Sequence, residues 1–148
     1  MDNAMAIPPN FVLHIHQEIE IRAPLSVVFD SVLEQVGPGF TNMEGKSMNA
    51  KLEAWPGGRW YRDLGNNTGH LWGHVQVIKP PTLLELYGPM MMSYAVISHV
   101  QYRLTEKGSA TLLALTHRAI GEISTEHREG VNKGWGKILS DIKARATK

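Results

Sequence analysis

Cysteine is absent from the sequence. This absence excludes disulfide bonds, thiolate zinc sites and cysteine nucleophiles, and it is compatible with a reducing compartment. The chain also has no apolar run near the roughly 20 residues that a membrane-spanning helix needs. Residues 1–11 lack the basic start and the apolar stretch of a signal peptide. We therefore expect a cytoplasmic protein without a membrane span.

An excess of charge of one sign is also lacking. The chain has 15 Lys and Arg residues against 14 Asp and Glu residues, for a formal net charge of +1. No broad electrostatic field is available to attract a phosphate backbone, so we expect no nucleic-acid partner. The length of 148 residues fits one domain. We place that domain at residues 13–148, behind a loose leader at residues 1–12.

The first strand is predicted from the alternation of apolar and polar residues. Leu13, Ile15, Ile19 and Ile21 share one face, and the other face carries His14, His16, Glu18 and Glu20. A period of two is typical of a half-buried strand. Gln17 is the one polar residue on the apolar face. We therefore expect its side chain either to face a wet cavity or to find a buried partner.

A helix is predicted after this strand. Val28, Val32 and Val36 recur at helical spacing, and the Gly-Pro-Gly sequence at residues 37–39 ends the pattern. Residues 40–49 show no periodicity, and a second short helix there is an open alternative. We therefore expect one or two short helices between the first strand and the second.

Regularly spaced turn signals predict six more strands from residue 51 onward. Pro-Gly, Gly-Asn, Pro-Pro, Gly-Pro and Lys-Gly pairs separate runs rich in β-branched and aromatic residues. The predicted strands are Lys51–Trp55, Arg59–Leu64, His70–Lys79, Leu83–Tyr87, Ala95–Thr105 and Ala110–Ile120. Short connections between sequential strands imply an antiparallel meander.

A long helix is predicted to end the chain. Ser124 is a candidate N-cap, and Val131, Trp135, Ile138 and Ile142 recur at spacings of four, three and four. At about 24 residues this helix is long enough to cross a sheet. The predicted fold class is therefore α+β, with a curved antiparallel sheet of about seven strands wrapped around the C-terminal helix. Because one helix cannot fill the concavity of such a sheet, we expect a cavity between them.

Five short motifs in this order resemble a known family. They are Ile21-Arg22-Ala23-Pro24, Pro56-Gly57-Gly58-Arg59, Gly73-His74-Val75 followed by Pro80-Pro81, Thr111-Leu112-Leu113 to His117, and Gly134-Trp135. Together they resemble, over residues 13–146, the activator of heat-shock-protein-90 ATPase C-terminal-like (AHSA-type) branch of the SRPBCC, START or birch-pollen-allergen-like superfamily. The resemblance implies the helix-grip fold. Members include ligand binders, cyclase-like enzymes and co-chaperone domains.

The candidate ligand-binding residues are those that strand parity and helix periodicity place toward the cavity. The predicted strands Ala95–Thr105 and Ala110–Ile120 contribute polar residues to an otherwise apolar inner face of the sheet. Aromatic residues are predicted to face the same cavity. The set is Gln17, Trp60, Arg62, Ser98, Tyr102, His117, Val131, Trp135 and Ile138. The alternative for the aromatic residues and for His117 is ordinary core packing. The methionine run at residues 90–92 is predicted at one rim of the cavity, where it suits varied apolar ligands, a plugged cavity mouth or a dimer contact.

No catalytic residue, metal site or cofactor is predicted. His14 with His16, and His70 with His74, share strand faces, but no spacing supplies the third ligand of a zinc site. Phosphate loops, dinucleotide-binding glycine patterns and nucleophile elbows are absent.

Three functions remain open at this point. The first is binding of a small hydrophobic or amphipathic molecule in the cavity. The second is a cyclase or dehydratase activity that uses Tyr102 and His117. The third is a chaperone-regulating interaction through an apolar patch on the convex face of the sheet. A homodimer and a chaperone partner are compatible with the sequence.

Overall fold

The computed structural model describes residues 11–93 and 95–148. Seven strands and two helices follow one another along the chain. In chain order they are β1 (Val12–Ile21), α1 (Leu25–Val36), β2 (Ala50–Leu52), β3 (Arg59–Gly65), β4 (Thr68–Lys79), β5 (Leu83–Gly88), β6 (Val96–Lys107), β7 (Ala110–Gly121) and α2 (Thr125–Ala146). Residues 1–10 of the predicted leader lie outside the described residues, and Val12 already belongs to β1.

The strands form one sheet in the order β1-β7-β6-β5-β4-β3-β2. Every neighbouring pair is antiparallel. The predicted meander from β2 to β7 is therefore confirmed, and β1 adds to the sheet at the edge of β7. The α+β class and the seven-stranded sheet with a C-terminal helix are also confirmed.

The inner face of the sheet follows the predicted parity. On β6, alternate residues from Val96 to Leu104 are buried, and on β7 the buried set includes Thr111, Leu113 and Leu115. On β1, Leu13 and Ile15 are buried, while His14 and His16 next to them are exposed. The hydrophobic core lies between this face and the two helices.

The C-terminal helix α2 covers part of that face. Its predicted N-cap is confirmed, because the Ser124 hydroxyl accepts a hydrogen bond of 3.1 Å from the His127 amide. Trp135, Leu139 and Ile142 are buried on its inner side. The helix has 22 residues, close to the predicted length. No helix among the described residues is long and apolar enough to span a membrane.

Two glycines let β4 and β5 approach closely before the methionine run. A Cβ on Gly73 would lie 2.4 Å from the carbonyl oxygen of Tyr87, and one on Gly88, where φ is +145°, would lie 2.5 Å from the Gly73 Cα. Only glycine fits such an approach. The Met90 amide then donates to the Trp72 carbonyl at 2.8 Å, which holds the start of the run against β4.

Residues 40–49 form a turn rather than the optional second helix. A bridge pairs Thr41 with Ser47, and the Asn42 side chain accepts hydrogen bonds from the amides of Glu44 and Lys46. An asparagine side chain that binds nearby amides competes with helix formation. Between β1 and β2 the structure therefore has one helix.

The predicted strand Lys51–Trp55 is shorter than expected. β2 ends at Leu52, because the Glu53 carboxylate accepts hydrogen bonds from the amide and the guanidinium of Arg59. These bonds hold the connection to β3 as a turn. Trp55 lies in this turn with 57% of its surface exposed.

Candidate functional site

A cavity of about 530 Å³ lies between the N-terminal half of α2, the turn at residues 40–48 and the methionine run. We call it the α2 cavity. Its walls come mainly from these three segments, and one residue comes from β7. The lining residues are Phe40, Thr41, Asn42, Met43, Met48, Met90, Met91, Met92, His117, Ser124, Glu126, His127, Gly130, Val131, Gly134, Trp135, Lys137 and Ile138.

The sequence of α2 explains why space remains beneath the helix. Gly130 and Gly134 both line the cavity, and a Cβ built on either of them would meet no atom within 4 Å. Glycine in a helix interior is destabilising by roughly 0.5–1 kcal/mol relative to alanine. These two positions therefore leave room under the helix at a cost to its stability.

A buried hydrogen-bonded chain forms the deep end of the cavity. The Trp135 Nε1–H donates to His117 Nδ1 at 2.9 Å, and His117 Nε2 lies 3.0 Å from the Ser98 Oγ. Because an indole N–H can only donate, Nδ1 must be the acceptor, which leaves the proton on Nε2 to be donated to Ser98. Burial lowers the pKa of His117 to about 4. The imidazole is therefore neutral at pH 7, with both nitrogens engaged.

Polar groups of the cavity include Lys137, which lies on α2. Its ammonium donates to the Asp141 carboxylate at 2.6 Å and to the Thr41 hydroxyl at 3.4 Å. A lysine ammonium has three donors, so one N–H is left for a ligand oxygen. Within residues 11–93 and 95–148, no three His, Asp or Glu side chains are grouped so that they could hold a metal ion.

Four of the nine predicted ligand-binding residues line the α2 cavity: His117, Val131, Trp135 and Ile138. The methionine run at residues 90–92 also lines this cavity. Ser98 and Tyr102 are buried on the inner face but do not line the cavity. The Tyr102 hydroxyl has no hydrogen-bond partner among the described residues, and burial raises the pKa of this group.

The other three predicted residues lie elsewhere. The Trp60 Nε1–H donates to the Val36 carbonyl at 2.6 Å, which places this indole against the end of α1. Arg62 is half-buried on β3 and does not line the cavity. Gln17 donates to the side chain and the carbonyl of Asn132 on α2, both at 2.9 Å. Of the three predicted aromatic residues, Tyr102 and Trp135 are in edge-on contact, with ring centroids 6.2 Å apart, whereas Trp60 packs edge-on against Trp72 at 5.3 Å.

Sequence reasoning missed the turn that closes the cavity. Phe40, Met43 and Met48 lie in a segment without periodicity, so no face could be assigned to them. The signal that was available is the high methionine content, because Met43 and Met48 together with the run at 90–92 make up most of the methionines of the chain.

Comparisons with solved structures show the same fold elsewhere. CalU16 from Micromonospora echinospora has a TM-score of 0.63 at 22% identity, over 90% of this chain and 75% of that one. Protein CV1439 from Chromobacterium violaceum has a TM-score of 0.67 at 16% identity, over 95% of this chain and 99% of that one. DynU16, from the dynemicin biosynthetic locus, has a TM-score of 0.61 at 17% identity, over 92% of this chain and 47% of that one.

At these identities the likeness establishes the fold alone. No curated protein matches the sequence significantly. The family model for "Activator of Hsp90 ATPase homolog 1-like protein" matches residues 22–147, and this match confirms the resemblance indicated by the five motifs. The chain therefore belongs to the Activator of Hsp90 ATPase homolog 1-like protein family.

Proposed function

We propose that the protein binds a small hydrophobic or amphipathic molecule in the α2 cavity. The observation that carries this proposal is the cavity itself, about 530 Å³ of space under a helix whose glycines leave it open. Small-molecule sites typically measure about 300–1,000 Å³ and combine apolar walls with a few polar groups. The proposal keeps the cytoplasmic setting expected from the sequence.

The distribution of polar groups indicates how such a ligand is oriented. At the deep end, the side-chain nitrogens of His117 and Trp135 form hydrogen bonds with each other and with Ser98. The free N–H of Lys137 and the side chains of Thr41 and Asn42 lie in another part of the lining. An apolar body therefore fits against Trp135 and Ile138, with a polar end near Lys137.

A melting scan against a library of lipids and aromatic metabolites tests the proposal. A ligand at a hundredfold excess over its dissociation constant adds about 2.7 kcal/mol to the free energy of unfolding. For a chain of this size, that corresponds to a rise in Tm of roughly 5–10 °C.

A cavity-filling variant shows whether a hit occupies the α2 cavity. Gly134→Leu places a large side chain in the open space, so we expect the stabilisation by the hit to be lost. Lys133→Leu adds the same side chain at an exposed position of α2 and is expected to retain it. The proposal fails if no compound shifts the Tm, or if the shift is equal in both variants.

Exposed apolar residues on the convex face of the sheet favour a second candidate function, which is binding of a partner protein. Val12, Ile97 and Ile120 lie next to one another across β1, β7 and β6, and each is 44–60% exposed. Exposed apolar side chains grouped in this way are typical of interaction surfaces. Co-purification with a heat-shock chaperone that is lost in Ile97→Asp would support this candidate, and co-purification that is unchanged in that variant would remove it.

The contacts give little support to a cyclase or dehydratase activity. That activity requires Tyr102 and His117 to reach one point in the cavity, but Tyr102 does not line the α2 cavity. Both nitrogens of His117 are already engaged, so proton transfer by this residue would have to break a buried hydrogen bond. We therefore place this activity behind the two binding functions.

A further inference from the structure

The methionines within the described residues are concentrated in one place. The chain has seven, and the five within the described residues all line the α2 cavity: Met43, Met48, Met90, Met91 and Met92. They come from two segments about 40 residues apart in sequence, so the fold brings them together. Met90 and Met92 are 3% and 5% exposed, whereas Met43 and Met91 are 71% and 39% exposed. The methionine side chains therefore extend from the buried wall of the α2 cavity to its opening.

The lining also contains aromatic side chains beside these methionines. Phe40 and Trp135 are both nearly buried. The Trp135 indole has no free N–H, since it donates to His117, whose ring lies edge-on to the indole at a centroid distance of 5.5 Å. These rings therefore offer a ligand π-surfaces and ring edges rather than hydrogen bonds.

Thioether sulfur distinguishes an aromatic ligand from a saturated one. Sulfur is polarisable and gains about 0.3–1.5 kcal/mol from contact with an aromatic ring. A saturated chain of the same size gains the hydrophobic term but not this contact. A wall built for aliphatic ligands could use leucine and isoleucine equally well, whereas five thioethers beside two aromatic rings favour a flat, polarisable partner.

We infer that the ligand class of the α2 cavity is planar aromatic compounds, with the ring system lying among the methionine thioethers, and not saturated acyl chains. This inference rests on the proposed function. It adds to that proposal the chemical class of the ligand and identifies the methionine sulfur atoms as the groups that select it.

A matched pair of probes tests the inference. 2-Naphthoic acid and decahydro-2-naphthoic acid have the same carbon skeleton and the same carboxylate, and they differ in aromaticity. Two or more sulfur–ring contacts favour the aromatic acid by about tenfold in affinity. Isothermal titration calorimetry of the full chain with each acid measures this ratio.

Replacement of methionine by norleucine isolates the contribution of sulfur. Because every described methionine lines the cavity, biosynthetic incorporation of norleucine removes the sulfur atoms from this site while it keeps the shape of the side chains. We expect the tenfold preference to fall to about one- to twofold. A Met90→Leu/Met92→Leu variant, whose substitutions nearly conserve volume, should lose part of the preference and gives a second measurement if the norleucine protein does not fold.

The possible outcomes separate the inference from the proposed function. A preference for the aromatic acid that disappears with norleucine supports the inference. Equal affinity for the two acids, or a preference that survives the loss of sulfur, overturns it and leaves the proposed function standing. Binding of neither acid at millimolar concentration, together with no shift in the library scan, removes both.

Discussion

At the scale of the residue, His117 links the cavity to the stability of the fold. Burial lowers its pKa to about 4, whereas a histidine in the unfolded chain titrates near 6.5. Between these values the unfolded state binds the proton and the folded state does not. The free energy of unfolding therefore falls as the pH drops from about 6.5 to 4, by on the order of 3 kcal/mol from this group. Urea denaturation at pH 7.5, 6.5, 5.5 and 4.5 measures the slope.

His117→Gln removes this titration. The variant should therefore show a weaker dependence of the free energy of unfolding on pH, even if its stability at pH 7.5 also changes. His14→Gln is the matched control, because His14 lies on β1 with its side chain exposed. It should leave the slope as it is in the parent chain. Equal slopes in the parent chain and in His117→Gln would mean that this imidazole does not govern the acid response.

The sequence indicated the residues of regular elements better than those of turns. Strand parity placed His117 on the inner face, and helix periodicity placed Val131, Trp135 and Ile138 toward the cavity. Periodicity cannot distinguish a residue that lines the cavity from one packed in the core. It indicates which face of a strand or helix a residue lies on, but not which residues it contacts. For this reason strand parity cannot distinguish Trp60, whose indole donates to a carbonyl at the end of α1, from a residue that lines the cavity.

At the scale of the element, α2 depends on its N-cap. The Ser124 hydroxyl accepts from the His127 amide, one of the four N–H groups that the first turn leaves without a helical partner. Ser124→Ala should therefore lower the free energy of unfolding by about 1 kcal/mol, measured by urea denaturation without ligand. Ser140→Ala, at an exposed position inside the same helix, should leave it unchanged or slightly higher. An equal loss in both variants would contradict the capping role.

The elements themselves were largely predictable, since each has one dominant signal. β6 alternates in burial from Val96 to Leu104 and β7 from Thr111 to Ile120, and the expected serine caps α2. Residues 40–49 lack such a signal because their structure depends on the Asn42 side chain, which binds two nearby amides, and on contacts that form only after the chain has folded. This turn contributes Phe40, Met43 and Met48 to the cavity.

At the scale of the whole molecule, the open cavity implies a conflict between the stability of the fold and ligand binding. The glycines of α2 that leave space for a ligand also make the helix less stable. Gly130 and Gly134 face open space, whereas a Cβ on Gly136 would meet only the Gln17 Oε1 at 3.8 Å. Alanine is the better helix former at all three positions. Gly130→Ala/Gly134→Ala should therefore raise the free energy of unfolding by about 1–2 kcal/mol, as read from urea denaturation.

The same double variant narrows the cavity, so its affinity for 2-naphthoic acid should fall even though the fold becomes more stable. Gly136 does not line the cavity, and Gly136→Ala should therefore gain stability without losing affinity. The comparison separates helix propensity from occupied space, because both variants improve the helix and only one removes volume from the site. If affinity is retained in the double variant, the ligand does not occupy the space beside these two glycines, and the expected conflict between stability and binding is wrong. Loss of affinity in the double variant alone would instead indicate that the two glycines are kept for binding, at a cost that the rest of the core offsets.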